Sequence, residues 1–193
     1  MNRSTRIAAS LLLVVTVLSL LLVSAGCAAT YPRRDPTGER FPTVRGTALD
    51  DTPVTIPGDF AGKPTLVFIG FDQNSQFDID RWLLGLITMK IDVPVYEVPT
   101  IPGLIPGLIA GTIDSGMRSG IPKEDWAIVV TVYDDADAIT RFVGNETPLP
   151  ARVVLLDARG DVKFFHDRGY SASTLMRLRE AIQLARAGRD AVR

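Results

Sequence analysis

The sequence predicts a single α/β domain in which a central mixed β-sheet is flanked by helices on both faces. Three observations carry this. TLVFIGF (65–71) and AIVVTVY (127–133) are apolar and β-branched, as buried central strands are, and each is followed by a helical pattern. RVVLLD (152–157) and VKFFH (162–166) flank the turn Ala158-Arg159-Gly160-Asp161 as a hairpin. An amphipathic stretch from Ser171 to Ala187 closes the chain. Strands alternating with helices call for parallel crossovers, and a length of 193 residues at 46% hydrophobic content suits one core.

The elements follow in order. Thr47 to Ile56 reads as a small hairpin with Asp50-Asp51 at its turn. The strand 65–71 is next, then a helix from Asn74 to Ile91. There Ile79, Trp82, Leu83, Leu86 and Ile87 recur at helical spacing on one face. Asp72 and Asn74 are its alternative caps, and Asp78 and Asp80 suit the positive end of the helix dipole. VPVYEV (93–98) is a shorter strand. Residues 101–122 are rich in Gly and Pro and predict a broken helix with loops. After the strand 127–133, residues 134–144 form a short helix with acids in its first turn. Asp134, Asp135 and Asp137 fit that helix start better than a calcium loop, since the glycine and terminal Glu of an EF-hand are missing. The closing hairpin precedes the last helix, whose inward face is Leu175, Leu178, Ile182 and Leu184.

Composition excludes several functions. The chain holds one Cys and one His, too few for a Cys/His metal site or a disulfide scaffold. A net charge of −1, scattered arginines and 7% aromatic residues argue against a nucleic-acid partner. His166 follows two phenylalanines and has no fellow ligands, so a half-buried structural imidazole is the plain reading. Neither a metal nor another cofactor is expected.

The N-terminus is an address. Arg3 and Arg6 precede an uncharged stretch from Ile7 to Gly26, then small residues lead to Cys27. The ending SAGC resembles the lipobox of bacterial lipoproteins, in which the thiol is acylated. Ser24 stands where an aliphatic residue is more usual. The alternative is an uncleaved anchor, since about 20 apolar residues span a bilayer. Residues 1–27 are therefore read as a lipoprotein signal peptide with Cys27 as the lipidation site. Residues 28–43, polar and proline-bearing, are read as a flexible tether, 44–187 as the folded domain, and 188–193 as a tail. Either anchor puts the domain outside the cytoplasmic membrane, at the bacterial cell envelope.

FAGKPTLVFIGFD, IVVTVYDDADAITRFVG and ARVVLLDARGDVKFF resemble, in turn, the first central strand, the second strand with its helix, and the closing hairpin of the thioredoxin-like superfamily, particularly its extracytoplasmic thiol-reductase and peroxiredoxin branch. A narrower similarity, over residues 65–182, is to the thioredoxin-like assembly factor for the mitochondrial ATP synthase membrane sector. It is carried by Trp82-Leu83-Leu84, Tyr96-Glu97-Val98 and the Leu155-Leu156-Asp157-x-x-Gly160 hairpin. The superfamily keeps a Cys-x-x-Cys where the first helix opens, because the helix N-terminus lowers a thiol pKa. Those positions fall on Asn74, Ser75, Gln76 and Phe77 here, without a thiol. The superfamily's cis-proline falls near Ala151, beside Pro148 and Pro150.

The resemblance thus implies a lipid-anchored, non-redox binding or assembly module, held to the membrane by its N-terminal lipid and meeting another envelope protein. The candidate binding residues are Asp72, Gln73, Asn74, Ser75, Gln76, Phe77 and Leu149, with Arg118 in the glycine-rich segment as an anion-binding candidate. No catalytic residue is assigned. The alternatives are an enzyme, either a hydrolase using Ser75 or a redox protein borrowing a partner's thiol, and a small-ligand carrier with 101–122 as its lip.

Overall fold

A computed structural model of the protein describes residues 29–103 and 107–190. The signal-peptide reading of residues 1–27 lies outside the described residues. The elements described in full among these residues are, in order, β1 (Val44–Ala48), β2 (Pro53–Ile56), β3 (Thr65–Gly70), α1 (Gln76–Thr88), β4 (Val95–Pro99), α2 (Ala110–Gly120), β5 (Val130–Thr131), α3 (Ala136–Val143), β6 (Arg152–Leu156), β7 (Val162–His166) and α4 (Ala172–Asp190).

Two ladders, β2-β1-β5 and β4-β3-β6-β7, are joined by single parallel bridges from Glu97 to Val129 and from Thr100 to Val132. These strands thus form one mixed sheet. β3 and β4 are parallel, while β6 runs antiparallel to β3 with Ile69 opposite Arg152. The run TLVFIG is buried on both faces because its side chains alternate between two cores. Leu66 and Phe68 join Trp82, Leu86, Val153, Leu155 and Leu178 under α1 and α4. Val67 and Ile69 join Phe41, Val130, Ile139, Val143 and Val154 under α3. Gly85 lets α1 meet α4, since a Cβ there would lie 2.9 Å from Leu175 and from Tyr170.

Several expectations change. The second central strand is shorter than 127–133: Val130 and Thr131 pair with β1 and only Val129 and Val132 bridge to the neighbouring ladder, after a 3-10 turn over Lys123–Ile128. Val129, Val130 and Val132 are all buried, so the apolar run reported burial correctly and pairing length incorrectly. The fourth strand is shifted to 95–99. Within the described part of the Gly/Pro-rich segment, helical residues 107–108 are separated by a turn at Ile109 from α2, a broken helix as expected. Ile87 and Leu184 were expected to face inward, yet both are 73% exposed, because Leu86 and Ile182, one and two residues earlier, take the inward positions and the helix turns about 100° per residue away from them. The last helix continues to Asp190, past the expected end of the domain at Ala187.

The expected tether differs most. From Ala29 to Phe41 the chain lies on the domain. Tyr31 N–H donates to Asn145 Oδ1 at 2.7 Å, Arg33 pairs with Asp167, Gly38 N–H donates to Val162 O at 2.9 Å, and Phe41 is buried edge-on against Phe142. Its prolines prevent helix but not docking, and a polar segment docks where its hydrogen bonds find partners.

Candidate functional site

The carboxyl ends of β3 and β4 share one end of the sheet with the amino end of β6, and two loops meet there. β3 ends at Gly70. Asp72 then accepts hydrogen bonds from Asn74 N at 2.8 Å and Asn74 Nδ2 at 2.9 Å, capping a 3-10 turn over Gln73–Ser75 that runs straight into α1. Asp72, rather than Asn74, is therefore the cap. Gln73, Asn74, Gln76 and Phe77 face solvent, with Phe77 66% exposed. Gln76 Nε2 donates to Asp80 at 3.0 Å.

The second loop is 145–151. Its Leu149–Pro150 peptide is cis, which places the proline of this position at Pro150 rather than Pro148. Leu149 is exposed beside it. Arg152 shapes the loop from below. Its buried guanidinium donates to the carbonyls of Gly144 (3.0 Å), Thr147 (2.6 Å) and Pro150 (2.6 Å), and stands 5.2 Å over the Phe71 ring. Burial holds the Arg152 pKa below its ordinary value, with Asp167 opposing that shift and Arg33 adding to it. One cation thus ties the loop before β6 to the residue after β3. Sequence reading passed over it, because an arginine heading an apolar strand looks like a strand end.

Two further groups were missed. Asp78 is buried under Gly169 and Tyr170, and one oxygen accepts from Tyr170 N at 2.9 Å. Its other oxygen, Ser75 Oγ and Trp82 Nε1 are buried without hydrogen-bond partners. Ser75, the residue before α1, shares one face with Asp78 and Trp82 of the helix, and His166 closes that side edge-on to Trp82, with Nε2 2.8 Å from Gly169 O. Ser75 is only 1% exposed and its hydroxyl engages no base, so the nucleophile reading finds no support in the geometry. Glu97 on β4 is the other group. Burial raises its pKa, Gln76 opposes the rise, and Asp80 and Asp125 add to it.

A carboxyl whose folded pKa lies above its unfolded value makes the folded state lose stability as pH rises through that interval. Glu97→Gln should therefore raise the urea midpoint at pH 7. The advantage should vanish below about pH 4, near the unfolded pKa of a glutamate. An equal midpoint for the two chains at pH 7 would refute this.

Arg118 does not belong to this site. Its guanidinium donates to Leu49 O at 2.5 Å and Asp51 Oδ1 at 2.6 Å and stacks 5.7 Å over Trp126. Leu49 and Asp51 form the β1–β2 turn. β1 is antiparallel to β5, with Ala48 opposite Val130, so this turn sits at the amino end of the parallel strands, across the sheet from Asp72. Among the described residues, no three His, Cys, Asp or Glu side chains gather as a metal site would need. Nor is any helix there long and apolar enough to cross a membrane.

No protein-family model matches the chain, and no curated protein matches it. Solved structures do. The chain is similar to a protein of Aquifex aeolicus VF5 described as a candidate electron transfer protein (15% identity, TM-score 0.56, covering 78% of this chain and 99% of that one). It is similar to BsSco, a member of the Sco family of cytochrome c oxidase assembly proteins (12%, 0.55, 78% and 96%). It is also similar to a SCO1/SenC family lipoprotein from Bacillus anthracis str. Ames (15%, 0.53, 80% and 99%). At these identities the likeness establishes the fold: the domain is thioredoxin-like, a central mixed sheet with helices on both faces.

Proposed function

We propose that this chain is a membrane-anchored, thioredoxin-like binding or assembly module without thiol chemistry of its own, acting at the bacterial cell envelope through the paired loops 72–77 and 145–151. One observation carries the reading. At the helix opening where the fold elsewhere holds its reactive thiols stand Asn74, Ser75, Gln76 and Phe77, and the chain's single cysteine is Cys27, in the signal. A domain without a cysteine cannot form or exchange a disulfide by itself. What the loops present instead is exposed amide side chains, Phe77, Leu149 and a cis-proline, a surface fit to hold an extended segment by hydrogen bonds and apolar contacts. That one fold neighbour is an oxidase assembly protein and another a lipoprotein supports assembly at a membrane as the setting. Cys27 supplies the anchor in this reading; each acyl CH₂ that enters the bilayer contributes about 0.8 kcal/mol.

Crosslinking in intact membranes tests the proposal. The chain should capture an envelope protein, and the triple variant Asn74→Ala, Gln76→Ala, Leu149→Asp should reduce that capture at least about tenfold (about 1.4 kcal/mol). All three side chains are solvent-facing, so the melting temperature should stay within a few degrees. Turnover of insulin disulfides or peroxide by the purified chain would overturn the reading, as would capture unchanged in the triple variant.

A further inference from the structure

The way the chain enters the domain sets the direction the domain faces. Asn145 Nδ2 donates to Ala29 O at 3.1 Å and its Oδ1 accepts from Tyr31 N at 2.7 Å, while Tyr31 O accepts from the backbone N–H groups of Asn145 and Glu146. The Tyr31 hydroxyl donates to Asp137 at 2.8 Å. Gly144, at φ 73°, has the Pro32 backbone lying where a Cβ would project. This clamp is at the carboxyl end of β3. Gly144 lies against Arg152, which opposes Ile69, and Arg33 grips Asp167, the residue after β7, a strand running in the same sense as β3. Cys27 is two residues from Ala29, so an anchor there is within about 7 Å of a fixed point on the domain. That reach leaves no slack for the domain to turn around.

The same end carries exposed apolar side chains from three separate segments: Phe77 opening α1, Leu149 before β6, and Leu108 (76% exposed) with Ile109 before α2. α2 starts at this end because Tyr133, just past β5, donates to Asp114 and Ala110 O. Among the described residues, the other exposed large apolar side chains, Leu84, Ile87, Met176 and Leu184, lie along α1 and α4 rather than in these loops. Charge around the entrance is mixed, with Arg33 and Arg141 already paired to Asp167 and Asp137, and with Asp72 and Glu146 exposed. The attraction such a surface offers a bilayer is apolar rather than electrostatic.

We propose that the carboxyl end of the sheet is a lipid-contact surface, in which Phe77, Leu108, Ile109 and Leu149 rest in the interfacial layer of the membrane. It rests on the anchor reading above and deepens it: loops 72–77 and 145–151 open onto the membrane surface, so the segment they hold comes from the bilayer side. It holds for an acylated Cys27 and for an uncleaved apolar segment alike, because Ala29 is pinned in both.

The test uses the full chain reconstituted in phosphatidylcholine vesicles, with and without phosphatidylglycerol. A polarity-sensitive thiol label is placed on Leu108→Cys, Leu149→Cys or, at the opposite end, Arg159→Cys, and the unsubstituted chain serves as blank for Cys27. Brominated acyl chains should quench positions 108 and 149 at least fivefold more than position 159, aqueous iodide should show the reverse order, and the anionic lipid should change the ratio little. Iodide quenching equal at both ends would overturn the proposal. So would positions 108 and 149 shielded from iodide and bromolipid alike, the signature of a protein partner seated there. The mass of the N-terminal peptide and retention on the vesicles report the anchor independently. An anchored chain with unquenched labels refutes the orientation alone, and a chain that does not stay on the vesicles refutes both.

Discussion

Trp82→Ala is expected to cost about 3–5 kcal/mol in chemical denaturation, the range for deleting a large buried aromatic. Trp82 is fully buried on the inner face of α1. Phe68 on β3 lies against it with ring centroids 6.4 Å apart, Tyr170 stands perpendicular to it at 5.3 Å, and His166 meets it edge-on at 5.8 Å. The residue therefore joins sheet, first helix and the segment leading into α4. The cavity cannot collapse easily, since Gly85 already brings α1 into contact with Leu175 and Tyr170. Trp82→Phe should recover more than half of the loss, because Trp82 Nε1 has no partner to forfeit. A loss below about 1 kcal/mol for Trp82→Ala would show that this contact is not the centre of the core.

Arg152→Ala is expected to be the second most damaging change, at about 3 kcal/mol or more. It strips three carbonyls, those of Gly144, Thr147 and Pro150, of their buried donor, and each such orphan costs about 1–3 kcal/mol. Arg152→Lys should rescue only part, since one ammonium cannot span the three acceptors that a planar guanidinium reaches. The functional consequence separates this residue from Trp82. Loop 145–151 takes its shape from that cation, and Asn145 in the same loop holds the entering chain. Partner capture should therefore fail in Arg152→Lys under conditions where the domain remains folded by circular dichroism. Capture retained in folded Arg152→Lys would show that the loop holds its shape without the fork.

The positions of the two candidate loops were legible in part. The polar cluster 72–77 between an apolar strand and an amphipathic helix announces a capped helix start, and the structure puts it at the sheet end that gathers loops. Leu149 was legible as an apolar residue stranded between two prolines. Arg118 stands apart from the two loops for a topological reason: α2 starts near Tyr133 at one end of the sheet, and its last turn reaches the β1–β2 turn at the other. Nothing in a glycine-rich string records that crossing. Asp78 and Glu97 were hidden for another reason. An acid early in a helix satisfies the dipole whether it is exposed or buried, and one acid in a short strand reads as an edge.

By itself the sequence determined the order and kind of the elements, the cores they build and the absence of a thiol at the helix opening. Those are properties of local periodicity and composition, which short-range sterics and burial impose on any such string. Only the tertiary structure decided which residues share an end of the sheet, that Arg152 bonds three carbonyls of one loop, and that the segment from Ala29 to Phe41 is docked rather than free. Each of these depends on strand direction and register, and on backbone groups finding partners more than a hundred residues away, as Tyr31 finds Asn145.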